Sequence, residues 1–312
     1  MNWQTKIITI MKRFYLILPL VAMLFSSCEL LSVSGKGDNG DDNGNGGGGI
    51  VSDADRVEVV YLYGLNTESS NDDMQITKVA MCLGYDDEGR VESLSHIAFV
   101  EKGAISAIRQ KIDYETSPAT ITTSVERLVR CSDDDPNLMI LERSAGDSGV
   151  AYFNSLGYLS ALAYGDYFSC YIGYSTENNR VNTYTGGSGS TVRFVWEDGN
   201  LVGLSESKLK YSDDPATWYG LDWLWLLANG HNESNALLSV LNTNRGLHSK
   251  NLPIEVSAGS NKIGFDYTFD SKGRLSTVKM GGKTAIEIFL YESDGEDFGY
   301  KWAGKIVEEV DK

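Results

Sequence analysis

The stretch Tyr85-Asp86-Asp87-Glu88-Gly89-Arg90-Val91 recurs as Phe269-Asp270-Ser271-Lys272-Gly273-Arg274-Leu275, and these two segments decide the fold. Phe153-Asn154-Ser155-Leu156-Gly157-Tyr158-Leu159 is a third copy. Trp196-Glu197-Asp198-Gly199-Asn200-Leu201 is a fourth, one residue shorter. Asp or Asn opening a turn, with Gly three residues on, is the type I signature, in which glycine supplies a positive φ. Asp198-Gly199 suits the tighter type I′ hairpin. Aromatic and aliphatic residues flank each turn and pair across the ladder that it starts. The uneven spacing of the copies predicts an irregular meander of hairpins, not a solenoid.

Between the turns the hydrophobic period is two. Val192, Phe194 and Trp196 fall on one face. Ile263, Phe265, Tyr267 and Phe269 point inward, while Lys262, Asp266 and Thr268 point outward. Val57, Val59, Tyr61 and Tyr63 share a face near the start. This alternation predicts half-buried antiparallel strands. Residues 218–228 break the pattern and stop at Asn229-Gly230. Residues 233–241 follow, with Ala236, Leu237, Val240 and Leu241 at helical spacing. The expected architecture is mostly β: a curved antiparallel meander, half-open or partly closed as a barrel, with a short helical insert near 218–241. Residues 50–312 form its single domain.

The first 49 residues read as an address and a tether. Lys12 and Arg13 precede an apolar run over residues 14–25 that is too short to cross a bilayer. Leu24-Phe25-Ser26-Ser27-Cys28 resembles the lipobox of bacterial lipoproteins, in which that cysteine is diacylated and becomes the first residue. Residues 1–27 are therefore expected to be a lipoprotein signal peptide, and Cys28 the lipidation site. Residues 32–49 hold eight glycines with Asp38, Asp41 and Asp42. Such a linker behaves as coil with a reach of about 21–25 Å. The expected location is the outer membrane, through lipid on Cys28, with the domain on the cell surface or, alternatively, on the periplasmic face.

Charge narrows the partners. Loss of residues 1–27, with Lys6, Lys12 and Arg13 and no acid, takes the formal net charge from −16 to −19. Phosphate backbones and anionic membrane surfaces repel such a chain, so no nucleic-acid partner is expected. Cys82, Cys131 and Cys170 each sit in an apolar or strand-like run. They read as three buried thiols or as one bridge and one free thiol, and none is spaced for metal.

With its turns and insert in view, the chain resembles a family of Bacteroidetes lipoproteins catalogued as a domain of unknown function with a porin-like fold. The aromatic-Asp-x-x-Gly-Arg turns at 85–91 and 269–275 carry the resemblance. So do the Phe-Val-Trp-Glu-Asp-Gly-Asn-Leu-Val run at 194–202 and residues 246–253, which begin Gly246-Leu247-His248. The resemblance implies a curved sheet or partly closed barrel and no catalytic residues. A membrane-spanning barrel is not expected, because Lys262, Asp266 and Thr268 would face lipid in one of the clearest strands.

Chemical motifs give way to structural readings. Gly146-Asp147-Ser148-Gly149 lacks the further glycine and upstream histidine of a serine protease and reads as turn chemistry. His96, His231 and His248 have no second ligand at metal spacing. Gly186-Gly187-Ser188-Gly189-Ser190 lacks the lysine and helix of a phosphate loop. Ser132-Asp133-Asp134-Asp135-Pro136 and Ser212-Asp213-Asp214-Pro215 read as turns. One cluster looks like a site: Trp218, Tyr219, Trp223 and Trp225, whose rings suit a glycan or an apolar ligand, or simply plug the sheet. The expectation is a non-catalytic binding or structural module without metal or cofactor. Two alternatives are a glycan-active hydrolase using carboxylates such as Asp222 beside the tryptophans, and a lipid or lipoprotein carrier under a helical lid.

Overall fold

The structure, a computed structural model, describes residues 56–63, 76–131, 135, 137–166, 168–177, 179–186, 189, 191–216, 237–238, 240–241, 248–290 and 300–312. Alternating sequence becomes strand throughout. The first nine are β1 (Val57–Tyr63), β2 (Lys78–Tyr85), β3 (Val91–Val100), β4 (Gly103–Asp113), β5 (Ala119–Arg130), β6 (Leu138–Ala145), β7 (Gly149–Phe153), β8 (Leu159–Tyr164) and β9 (Phe168–Tyr174). There follow β10 (Val181–Gly186), β11 (Thr191–Glu197), β12 (Asn200–Leu204), β13 (Ser207–Pro215), β14 (Asn251–Ala258), β15 (Asn261–Phe269), β16 (Leu275–Met280), β17 (Lys283–Leu290) and β18 (Lys305–Asp311).

Each strand from β1 to β5, and each from β7 to β17, pairs antiparallel with the next. β5 carries the ring across to β7 through residues 119–121. β17 then returns to β1, with Leu62 opposite Ile286 and Val57 opposite Leu290. The wall is thus a closed antiparallel barrel of sixteen strands, which corrects the half-open or partly closed forms expected from sequence. Closure satisfies the backbone groups that an open sheet would leave on its two edges. β6 runs along the far half of β5, and β18 lies parallel beside β6. β18 thereby covers an edge that the short β8–β9 hairpin leaves bare.

The polarity of the wall follows from the alternation. Met81, Leu94, Ile121, Leu159, Val278 and Ile286 point inward and expose 0% of their surface. A side chain with no exposed surface touches no space large enough for water, so no aqueous lumen passes these residues. They belong to one continuous apolar cluster that also takes in Leu237, Leu238, Val240 and Leu241. Those four residues are helical. The named elements among the described residues are all strands, so helix is seen only at this buried end of the expected insert. Residues 217–236, which would carry its first helix, lie outside the described residues.

Strand β1 departs from the expected face. A bulge between Val57 and Val59 puts Val57, Val60 and Leu62 inside. Val59 and Tyr61 instead join a second apolar cluster with Ala80, Ile97 and Phe99, covered by Tyr300 and Trp302. Part of the outer face of β1–β4 is therefore buried under the C-terminal segment, which simple alternation does not reveal. Phe269, expected inward, is 51% exposed where β15 runs into its turn. Residues 212–215, read as a turn, finish β13. Cys131 is exposed rather than buried, and Cys82, Cys131 and Cys170 are all unbridged.

The repeated turns share one geometry. Gly89 N–H donates to Asp86 O, Gly157 N–H to Asn154 O, and Gly273 N–H to Asp270 O, at 2.8–3.0 Å. In each, Oδ1 of the opening residue accepts two further backbone N–H groups. Asp86 and Asp270 also accept Nε of Arg90 and Arg274 at 2.7 Å. Asp198 and Gly199 both have positive φ, as a type I′ hairpin needs. All four turns lie at one rim of the barrel, because they follow the second, sixth, tenth and fourteenth strands of its wall.

That rim is also ringed by aromatic tips. Tyr85 O–H donates to Val57 O, Tyr114 to Val91 O, and Tyr174 to Leu159 O. Trp196 N–H donates to Val181 O, Tyr211 O–H to Leu201 O, and Tyr267 to Pro253 O. Each acceptor lies within the first three residues of the neighbouring strand. The ring covers core while the tip satisfies a carbonyl whose loss of partner would cost about 1–3 kcal/mol.

Gly89 and Gly273 have φ of 75° and 77°. A side chain at Gly273 would meet nothing within 4 Å, whereas one at Gly89 would press on the Arg56 guanidinium. Gly273→Val therefore isolates the backbone cost, and urea unfolding should show it about 1–2 kcal/mol less stable than wild type. Gly89→Val should lose at least as much.

Candidate functional site

The insert leaves β13 and returns to β14 at the rim that bears the aromatic tips. Its two ends are tied together: Ala216 N–H donates to Lys250 O at 2.9 Å, and Lys250 N–H donates to Gly199 O at 2.9 Å. Asn200 and Asn251 bond reciprocally, side chain to side chain at 3.0 Å and Asn251 N–H to Asn200 Oδ1 at 2.8 Å. Ser249 is buried, and its Oγ accepts Leu201 N–H at 3.0 Å. The Tyr211 hydroxyl proton goes to Leu201 O at 2.6 Å, so in the 2.9 Å contact between the two hydroxyls Ser249 donates to Tyr211.

Arg180 and His248 complete this patch. Arg180 Nη1 donates to His248 O at 3.0 Å, and the guanidinium lies 4.5 Å from the centre of the Trp196 ring. Burial lowers the Arg180 pKa. Burial, and then the Arg180 charge, push His248 down to about 3. A histidine held that low is neutral across the neutral range, so it is no proton shuttle at pH 7. The patch is a seal: one cation shared between an indole face and a carbonyl, around a neutral imidazole.

The structure brings together few of the residues singled out from sequence. Trp218, Tyr219, Trp223 and Trp225 fall within 217–236, outside the described residues, as do Cys28 and the linker. Ala216 and His248 fix only where that insert departs and returns. Arg180, Ser249 and Tyr211 carry no sequence motif, and only the quoted segment 246–253 pointed to their neighbourhood. Among the described residues no group of three or more His, Cys, Asp or Glu is placed to hold a metal ion.

One polar side chain lies deep in the apolar interior. Gln110 is 2% exposed, and its amide oxygen and nitrogen have no hydrogen-bond partner among the described residues. It stands across the ladder from Thr123, whose hydroxyl is 2.7 Å from that of Tyr164. The Cys170 thiol, inside the barrel, and the Cys82 thiol, on the outer side of β2, are both pushed up to about 12 chiefly by burial. Neither is a reactive thiolate at neutral pH.

No family model and no curated protein matches the chain. Among solved structures it is similar to a porin-like protein from Bacteroides uniformis, at 9% identity and a TM-score of 0.49, over 75% of this chain and 96% of that one. The fold assignment rests on the strand pairing itself.

His248 gives the patch a pH signature. Its folded pKa of about 3 lies below the ordinary 6.5. Between those values the unfolded chain binds a proton that the folded chain does not, so stability falls as pH drops from about 6.5 towards 3. Urea midpoints measured at pH 7 and pH 4.5 should differ less in His248→Gln than in wild type.

Proposed function

We propose that the chain is a lipid-tethered, non-catalytic binding or structural module of the outer membrane, whose barrel stands in water rather than in the bilayer. One observation carries this reading: the wall is apolar inside and charged outside. Arg109, Lys111, Arg193, Lys210, Glu255, Asp266 and Glu287 project from the outer face along the strands. A transmembrane barrel has the reverse polarity, and each Lys or Arg on its lipid face costs about 2–4 kcal/mol at mid-membrane. No helix among the described residues is long and apolar enough to cross a membrane, and in this reading the lipid expected on Cys28 is the attachment. The packed inner side chains favour this role over carriage of a lipid through the barrel.

The Cys28 thiol is the test. Wild type should partition into the detergent phase of a Triton X-114 separation, while Cys28→Ala should be left uncleaved or, where residues 1–27 are removed, pass into the aqueous phase. Cys28→Ala that has lost residues 1–27 and still remains with detergent would mean that the wall itself contacts lipid.

A further inference from the structure

Four adjacent strands of the wall, β7 to β10, contain 24 residues and not one Asp, Glu, Lys, Arg or His. Every other strand except the five-residue β12 carries at least one charge. On the outer face of this neutral panel the ladder register sets up a straight row. Tyr152 lies opposite Ala161, Ala161 opposite Tyr171, Tyr171 opposite Thr185, and Thr185 opposite Thr191. The tyrosines are the most prominent side chains of the row, Tyr152 being 46% and Tyr171 66% exposed. Of the neighbouring outward positions, Ala163, Ser169, Gly173 and Thr183 are small, while Val150 stands opposite Ala163 and Arg193 of β11 opposite Thr183.

We infer that this face is a platform for a neutral, extended β-1,4-linked polysaccharide lying across the strands. The two tyrosines are two strands apart, about 10 Å, twice the interstrand spacing. That is also the length of two pyranose rings in such a chain, so alternate sugars meet successive aromatic rings. Ala161 between them leaves room for the intervening sugar to lie close. A tyrosine offers an apolar face to the C–H side of a sugar and a hydroxyl to its edge. Further along the row, Thr185 and Thr191 share one hydrogen bond at 2.9 Å, which leaves a second hydroxyl proton for a sugar oxygen.

Charge supports a neutral occupant. On a chain of net charge −16, an anionic glycan or an acidic membrane surface is repelled at long range. A neutral ligand is not, and on this panel it displaces no ion whose desolvation would oppose binding. The inference rests on the reading of the chain as a water-exposed binding module, because only then is the panel free of lipid.

Affinity electrophoresis of the full-length chain in detergent micelles, through native gels containing hydroxyethyl cellulose, tests it. Wild type should be retarded. Tyr171→Ala and Tyr152→Ala should each weaken binding about tenfold, the loss of one stacked ring, and Tyr171→Phe should keep most of it. Melting curves of these exposed-site variants should match wild type. No retardation of wild type, or retardation of the double alanine variant equal to wild type, overturns the platform. So does an equal loss in Trp223→Ala, which would move the site to the insert. A change of oligomeric state in the double variant would make the panel a self-association surface and overturn it too. If Cys28→Ala is aqueous while wild type shows no retardation, the platform alone fails. If Cys28→Ala that has lost residues 1–27 stays with detergent, the module reading beneath it fails.

Discussion

Everything in this structure depends on the pairing of β17 with β1, which joins the two ends of the sheet. Until it forms, both strands present unsatisfied edges, and the inward apolar residues have no opposite wall. The contact is reinforced outside by Tyr63, whose hydroxyl donates to Glu287. It joins residues more than two hundred positions apart, so its loop-closure entropy is recovered only when the other hairpins are in place. One flaw remains in the ring, where β5 forks between β6 and β7. The C-terminal segment closes it: β18 pairs with β6, while Glu126 holds Arg109 and Arg143, and Arg143 also reaches Glu309. Partial burial opposes ionisation of Glu126, yet the two arginines hold its pKa below the usual carboxylate value.

The two rims are built differently. One has tight hairpins such as Gly259-Ser260 and Gly281-Gly282, where positive-φ glycines reverse the chain in two residues. The other has the Asp-centred turns, the aromatic tips and the insert. Buried Leu237, Leu238, Val240 and Leu241 belong to the core, and the Arg180–Trp196–His248 patch sits at that second rim. A sixteen-stranded wall is wide enough to enclose a lumen, and here the fill is apolar side chains. A filled barrel offers its outside to partners, and the outside is uneven: charged over most strands, neutral from β7 to β10.

The hairpins were legible in the sequence because their causes are local. Gly89, Gly157 and Gly273 sit where a positive φ is needed, and the backbone has that φ. Ile263, Phe265 and Tyr267 join the core as their alternation demanded. Closure was not legible, since it depends on the strand count and on a pairing between distant segments. The face of Val59 and Tyr61 was misjudged because a one-residue bulge exchanges the faces. Apolar residues on the outer side also read like core, and here Tyr300 and Trp302 cover them. Beyond the segment 246–253, nothing in the sequence pointed to the Arg180–His248 contact, because single residues from separate segments meet only in three dimensions.

The wall is apolar inside and charged outside, and side-chain labelling in native membranes reads that polarity. Lys111 and Lys210 face outward along β4 and β13, and the Cys170 thiol faces inward, buried. A water-soluble amine reagent should modify both lysines in the folded, membrane-attached protein, while a maleimide should reach Cys170 only after unfolding. Lysines shielded by lipid together with a Cys170 that reacts in the folded state would contradict that polarity.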